Sequence, residues 1–196
     1  MNLTQFIEEY DKENYIVLLE GKRDVVEADK DKLIRLGRLL ASSTKHVVFR
    51  SGNARGADEL FAKGVVEVDQ KRFQVITPYN GHRKKQNNAH ETFSLSDIDL
   101  AAEPDVIYQS KSNKKTEELI DPFVKGERNK IILKAGYIIR DTIKVIGTKE
   151  IKPANFGIFY DDLSNPMDGG TGHTMRVCIK NKVPLIDQRV WFEWLK

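Results

Sequence analysis

Two glycine-rich turns contain the residues of this sequence that are best suited to bind a phosphate group. The first, SGNARGAD, runs from Ser51 to Asp58 and follows an apolar run over 46–50. The second, DGGTGHT, runs from Asp168 to Thr174 and precedes a helical pattern. Glycine lets the backbone approach a ligand closely, and a helix start offers unpaired N–H groups at the positive end of the helix dipole. Two such turns at one sheet edge predict an anion site that holds a nucleotide from two sides.

The first turn combines a tight backbone with charged side chains. Arg55 offers a guanidinium fork to a phosphate, and Gly56 permits close approach. Asp58 lies in the first helical turn, where its carboxylate either favours the dipole or accepts a hydrogen bond from a ribose hydroxyl. The alternative is a plain strand-to-helix turn in which Arg55 pairs with an acid. The ligand-binding candidates here are Ser51, Gly52, Asn53, Arg55, Gly56 and Asp58.

The second turn is a purer glycine cradle in which threonine hydroxyls stand beside free N–H groups. Its spacing matches neither the Walker phosphate loop nor the dinucleotide fingerprint. His173 is a candidate phosphate ligand or acid, although a histidine at a helix start is more often a plain hydrogen-bonding residue. The candidates are Gly169, Gly170, Thr171, Gly172, His173 and Thr174.

Two further clusters are expected near the same sheet edge. Gly21, Lys22 and Arg23 follow the first predicted strand, where open α/β sheets also bind ligands. Arg128 and Asn129 stand at the start of a predicted helix, from which Arg128 would reach into the ligand crevice. The alternative for both clusters is a group of surface charges at the end of an element.

The elements that must position these turns alternate between β-rich runs and segments of helical period. This alternation predicts a Rossmann-like α/β fold, doubly wound, with a mostly parallel sheet and helices on both faces. One domain is expected over 1–196, with 80–126 as an insertion that forms either a lid or a surface excursion of no special role. The predicted strands are 15–20, 46–50, 73–77, 142–146, 156–160 and 183–186, and the predicted helices are 29–42, a segment after the first glycine turn, 127–136 and 174–181.

Composition excludes several classes of protein. The 196 residues are 40% hydrophobic and 31% charged, which is typical of a globular domain, and the net charge of +3 is too small to favour duplex DNA. The single cysteine, Cys178, excludes an intrachain disulfide, and no stretch approaches the ~20 apolar residues of a membrane span. We expect a cytoplasmic protein with no cofactor, no metal ion and no membrane contact. The aromatic residues over 191–194 are expected to pack on the domain or across a homodimer interface.

The first turn and the strand before it resemble the SLOG superfamily of Rossmann-like nucleotide-binding proteins. That superfamily includes the DNA-processing protein A family and the Lonely Guy phosphoribohydrolases. Gly21–Asp24, Arg128-Asn129 and Gly169–Gly172 resemble three further motifs of the group, in the same order. The resemblance covers most of the chain outside 80–126 and implies a nucleotide-binding domain. Its DNA-processing branch implies single-strand binding and dimerisation.

The chain departs from the Lonely Guy pattern at one catalytic position. In those enzymes a glutamate after the phosphate loop works with an arginine to cleave an N-glycosidic bond. Arg128 matches that arginine, but Arg176 stands at the position of the glutamate. This reversal of charge removes the partner of the positive charge that develops on the ribose. The resemblance therefore implies nucleotide binding, as a sensor or carrier, more strongly than hydrolysis.

Three hypotheses follow from these residues. The first is a binder of a nucleotide or nucleotide-derived small molecule. The second is a nucleoside monophosphate hydrolase whose acid, base or charge partner is among Arg128, Asp58, Glu59, Asp168 and His173. The third is a single-stranded nucleic-acid module that uses the basic runs 83–85 and 111–115, although both runs lack interleaved aromatic residues.

Overall fold

The computed structural model describes residues 1–196, and its centre is a six-stranded sheet in which every neighbouring pair is parallel. The strand order is β4-β3-β2-β1-β5-β6, which confirms the predicted Rossmann-like α/β fold. The chain moves outward from β1 to β4 and then crosses to the other side of β1 with β5. Ligands of open α/β sheets bind where the strand order reverses in this way, here between β1 and β5. The strands are β1 (Ile16–Gly21), β2 (Val48–Ser51), β3 (Phe73–Thr77), β4 (Glu91–Ser94), β5 (Phe156–Tyr160) and β6 (Leu185–Ile186).

Helices cover both faces of the sheet. The largest apolar cluster joins α1, α2, α3 and the C-terminal residues to one face, and two smaller clusters join α4 to α7 to the other. No helix is both long and apolar enough to cross a bilayer. The helices are α1 (Leu3–Tyr10), α2 (Glu27–Ser43), α3 (Ala57–Asp69), α4 (Pro104–Ser110), α5 (Glu117–Val124), α6 (Leu133–Ile146), α7 (Gly169–Lys180) and α8 (Gln188–Trp191).

The central strands are buried along almost their whole length and are mostly apolar, because both of their faces are covered. In β1, Val17 and Leu19 belong to the larger cluster, whereas Ile16 and Leu18 face the opposite helices. This is why the strands predicted at 73–77 and 156–160 are confirmed with the same bounds, and the strand predicted at 15–20 to within one residue.

The strand predicted over 142–146 is wrong, because these residues form the second half of α6. Their β-branched side chains are typical of a strand, but they belong to a helix that contacts β3 as well as α4, α5 and α7 and is buried along most of its length. The helix predicted over 127–136 begins only at Leu133. The residues that α6 directs toward the sheet edge, Tyr137 to Lys144, consequently lie about two to four helical turns after Arg128, which was expected there.

The segment 80–126 contributes to the sheet and to the core. It contains β4, which pairs with β3 at the sheet edge, and it contains α4 and α5. Leu95, Ile120 and Phe123 are buried in one of the smaller clusters, although the sequence suggested little core in this segment. β4 was missed because Glu91 and Thr92 are exposed, so that an edge strand lacks the apolar pattern.

The C-terminal aromatic residues pack on their own chain. Trp191 is fully buried, and its Nε1–H donates to the carbonyl of Phe159 at 2.9 Å. The ring of Trp194 lies 5.3 Å from that of Phe6, which belongs to an N-terminal helix that the sequence analysis did not predict. These contacts hold both chain ends against the larger cluster.

Candidate functional site

A cavity of about 470 Å³ opens outside the carboxyl ends of β1 and β5, and we call it the crevice. One wall consists of 20–23 at the end of β1, and a second is a face of α6 that carries Tyr137, Arg140, Asp141 and Lys144. The loop after β5 and the first residues of α7 form the opposite wall. The crevice therefore lies at the point where the strand order reverses.

The N-terminus of α7 lines the crevice. The helix begins at Gly169, so that the glycines form its first turn rather than a loop before it. The first N–H of the helix with a backbone acceptor is that of Gly172, which donates to the carbonyl of Asp168 at 2.9 Å. The preceding N–H groups of Gly170 and Thr171 have no backbone acceptor, and both residues line the crevice. The positive end of the helix dipole is therefore directed at the cavity.

The first glycine turn is closed by a carboxylate of the chain itself. Oδ2 of Asp58 accepts hydrogen bonds from the Ser51 hydroxyl and the Gly52 N–H, both at 3.1 Å, and from the Ala54 N–H at 3.3 Å. Oδ1 accepts from the N–H of Gly21 at 3.2 Å. The backbone donors expected to bind phosphate thus bind Asp58, which joins the end of β1 to the turn.

The remaining residues of the first turn bring other segments together. Gly56 has φ 82°, and a Cβ there would overlap the carbonyl of Arg23, so the glycine serves a close approach within the chain. The Asn53 side chain donates to the carbonyl of His82 at 3.2 Å. Arg55 is exposed and lines a second cavity of about 420 Å³ that adjoins the crevice.

A buried network of charges forms the floor of the crevice. Lys144 Nζ lies 2.6 Å from Glu20 Oε1 and 2.7 Å from Asp141 Oδ1. Arg140 Nε lies 2.9 Å from the same Asp141 oxygen, and its guanidinium also donates to the carbonyl of Gly52. All four charged side chains are at least 94% buried. This network was not predictable from the sequence, because it joins the end of β1 to a part of α6 whose pattern predicts a strand.

The two carboxylates of this network have pKa values that are shifted in opposite directions. Burial raises the pKa of Glu20 to about 7, with Asp58 and Asp141 adding to the shift and Lys144 opposing it. Burial also raises the pKa of Asp141, but the attraction of Arg140 and Lys144 outweighs it and holds that pKa below its usual value. The crevice therefore offers one carboxyl that titrates near neutrality beside one that remains ionised.

His173 and Thr174 do not line the crevice. His173 is fully buried, and its Nε2 lies 2.8 Å from the Thr142 hydroxyl between α6 and α7. Burial lowers the pKa of His173 to about 4, so the ring is neutral at pH 7. The Thr174 hydroxyl donates to the carbonyl of Gly170 at 3.1 Å. Both residues therefore hold the first turns of α7 through contacts inside the protein, on the side away from the crevice.

Three further residues of the sequence analysis also lie outside the crevice. Arg128 donates to the carbonyl of Phe123 at 2.7 Å, and its guanidinium stands 4.0 Å from the centre of the Phe123 ring. Asn129 Oδ1 accepts the N–H groups of the residues two and three positions later, both at 2.9 Å. Arg176 donates to the carbonyl of Met167 at 2.6 Å. The arginine that α6 contributes to the crevice is Arg140.

No protein-family model matches this chain, and no curated protein matches it in sequence. Among solved structures, a similar one is DNA processing protein A from Helicobacter pylori, which was described for its single-stranded DNA binding mode. The two chains are 16% identical with a TM-score of 0.47, and the similarity covers 95% of this chain and 68% of that chain. An identity and a TM-score of this size assign neither a family nor a function.

Proposed function

We propose that this protein binds a nucleotide or a nucleotide-derived small molecule in the crevice, as a sensor or carrier. The observation that supports this proposal is the placement of the α7 N-terminus, with the unpaired N–H groups of Gly170 and Thr171, on a cavity between β1 and β5. Helix N-termini bind phosphate, and α/β sheets bind nucleotides at this position. A volume of about 470 Å³ lies in the range of small-molecule sites.

The crevice offers a partner to each part of a nucleotide. A phosphate would accept hydrogen bonds from the α7 N-terminus and from Arg23, whose side chain makes no ion pair within the chain. Ribose hydroxyls would donate to the carboxylates of Glu20 or Asp141. The half-buried ring of Tyr137, which lines the crevice, would contact the base.

Calorimetric titration with a panel of ribonucleotides tests this proposal. Arg23→Ala is expected to weaken binding at least about tenfold, because a hydrogen bond to a charged group contributes about 1.5–3 kcal/mol. Its melting temperature should equal that of the wild type, since the side chain is exposed and unpaired. Arg128→Ala is the matched control and should bind within about twofold of the wild type, because Arg128 lies outside the crevice. Absence of binding by every nucleotide, or equal binding by Arg23→Ala and the wild type, would contradict the proposal.

Hydrolysis of an N-glycosidic bond is a second candidate function, favoured by the opposite pKa shifts of Glu20 and Asp141. Protonated Glu20 would give its proton to the departing base, and ionised Asp141 would stabilise the positive charge on the ribose. Water would then bond to the sugar carbon and return a proton to Glu20. These roles replace those that the sequence analysis considered for Asp58, His173 and Arg128.

Chromatography for free base after incubation with nucleoside monophosphates tests hydrolysis. The wild type should release base, and Glu20→Gln should lose this activity while it still binds nucleotide in the calorimeter. If the wild type releases no base over hours, hydrolysis is excluded and the binding proposal is unaffected.

Single-stranded nucleic acid is a weaker alternative, because the basic run 111–115 is paired with acids. Lys111 lies 2.6 Å from Asp121, and Lys115 lies 2.8 Å from Asp168. Such paired lysines release few counterions from a phosphate backbone. An oligonucleotide in the same panel distinguishes this alternative by an affinity that falls steeply with salt. A homodimer and a cytoplasmic location stay predictions from the sequence.

A further inference from the structure

Four arginines from four different segments line the cavity of about 420 Å³ beside the crevice, and we call this cavity the arginine pocket. One arginine follows each of the strands β1, β2 and β3, and the fourth lies on α6. Asp24 is the single acid among the lining residues. The arginine pocket is therefore far more basic than the crevice, where acids accompany the bases. The four arginines are Arg23, Arg55, Arg83 and Arg140.

Two of these arginines are held in place by the chain, and two are not. Arg83 donates to the carbonyl of Asn53 at 3.1 Å and pairs with Glu59 at 2.7 Å. Arg140 is fixed by Asp141 and by the carbonyl of Gly52. In contrast, the exposed side chains of Arg23 and Arg55 make no hydrogen bond or ion pair within the chain. The arginine pocket thus combines positioned donors with uncompensated positive charge, which is the arrangement that binds a phosphate.

His82 provides a second, independent indication of a ligand. It is only 9% exposed, it lines the arginine pocket, and its buried Nδ1 makes no hydrogen bond of normal geometry, although the backbone of Asn53 partly opposes the lowering of the ring's pKa. Buried polar atoms are rarely left without a partner, so this nitrogen is a candidate contact for a ligand oxygen. Burial, followed by Arg140 and Arg83, lowers the pKa of His82 to about 4, so the neutral ring adds no charge. Tyr79 and Tyr137 meet the ring edge-on, with centroids 5.0 and 5.8 Å away.

The arginine pocket and the crevice adjoin each other. Both are lined by Arg23, Ala54, Tyr137 and Arg140. A ligand held at the α7 N-terminus would therefore reach the arginine pocket by passing Arg23 and Tyr137, which line both cavities.

We infer that the ligand carries two separate anionic groups, one at the α7 N-terminus and a second one between Arg55, Arg83 and His82. This inference rests on the proposed nucleotide binding and restricts its ligand class. The ligand would be a nucleoside with phosphates at two positions or a dinucleotide, rather than a nucleoside monophosphate. Arg23 and Arg140 lie between the two subsites and would contact both groups.

Calorimetry with matched ligands tests this inference. The ligands are the 5′-monophosphate, the 5′-diphosphate and the 3′,5′-bisphosphate of one nucleoside, together with its 5′,5′-linked dinucleotide. The wild type is expected to bind the 3′,5′-bisphosphate or the dinucleotide about tenfold or more tightly than the monophosphate, and more tightly than the 5′-diphosphate, whose two phosphates are adjacent. In Arg55→Ala this ratio should fall to within about twofold, because Arg55 lines the arginine pocket but not the crevice.

Control variants separate a local effect from a general one. Arg55→Lys should restore part of the ratio, since it returns the charge without the bidentate fork. Arg128→Ala, an exposed arginine outside both cavities, should keep the full ratio. Equal affinities of the wild type for all four ligands, or an undiminished ratio in Arg55→Ala, would overturn the inference and leave nucleotide binding intact. Absence of binding by every ligand would overturn both.

Discussion

Replacement of Asp58 is expected to destabilise the protein far more than replacement of the acid beside it. The carboxylate of Asp58 is 3% exposed and accepts four hydrogen bonds, three from backbone N–H groups and one from Ser51. Asp58→Ala leaves the buried N–H groups of Gly21 and Gly52 and the part-buried one of Ala54 unpaired, and each unpaired buried group costs about 1–3 kcal/mol. Because water enters part of the space, we expect a loss of about 3–6 kcal/mol, which is a large share of a typical stability of about 5–15 kcal/mol.

Two further variants isolate the cause. Asp58→Asn keeps one oxygen for the Gly52 turn but places an amide opposite the N–H of Gly21, so we expect a loss of about 1.5–3 kcal/mol. Glu59 stands in the same first turn of α3, but it is exposed and pairs only with Arg83. Glu59→Ala should cost less than about 1 kcal/mol. Since both acids favour the helix dipole equally, the difference between the variants measures the hydrogen bonds of Asp58.

Urea denaturation at pH 7, followed by tryptophan fluorescence and circular dichroism, gives the free energy of unfolding of each variant. The expected order of loss is Asp58→Ala, then Asp58→Asn, then Glu59→Ala. If Asp58→Ala stayed within about 1 kcal/mol of the wild type, Asp58 would not join β1 to the first turn. Its carboxylate would then be available to a ligand, as the sequence alone suggested.

Three further predictions concern pH and packing. Burial lowers the pKa of His173 from 6.5 in the unfolded chain to about 4 in the folded protein, so the unfolded chain binds its proton first as the pH falls. The free energy of unfolding should therefore fall by about 3 kcal/mol between pH 6.5 and about pH 4. In His173→Gln, urea titrations at several pH values should lack this contribution, and an unchanged acid profile would contradict the assignment. Gly64→Ala should lower the melting temperature by many degrees, since a Cβ there would overlap the carbonyl of Ile34 on α2. Gly81 has no atom within 4 Å of such a Cβ, so Gly81→Ala should cost only the strain of its φ of 79°, about 1–2 kcal/mol. Trp191→Ala should cost about 3–5 kcal/mol in a denaturant titration because its ring is fully buried, and a loss below 1 kcal/mol would contradict that packing.

The centre of the sheet was predictable because its strands are short, mostly apolar runs that are covered on both faces. α6 was not, because its second half combines β-branched residues, Thr142, Ile143 and Val145, with charged residues that are buried in the crevice network, and the β-branched residues resemble a strand. β4 was not, because an exposed edge strand carries polar residues. The sequence pattern thus identified the covered central strands, and it failed for the second half of α6 and for the exposed edge strand β4.

The candidate site was predictable where its residues are local in sequence. Gly21 to Arg23 and Gly169 to Thr171 line the crevice as expected, and their contacts with a ligand stay predictions. Glu20 and Lys144 could not be found in this way, because they are 124 positions apart and meet only through the fold. Arg128 was misplaced for the related reason that α6 begins later than its pattern suggested.

The most direct test of nucleotide binding in the crevice is an amide NMR titration of ¹⁵N-labelled protein with the tightest nucleotide of the panel. We predict that the largest shifts occur at the N–H groups of Gly169, Gly170 and Thr171, with further shifts from Gly21 to Arg23. Shifts confined to Arg128 and Asn129, or no shift at the first turn of α7, would contradict the account.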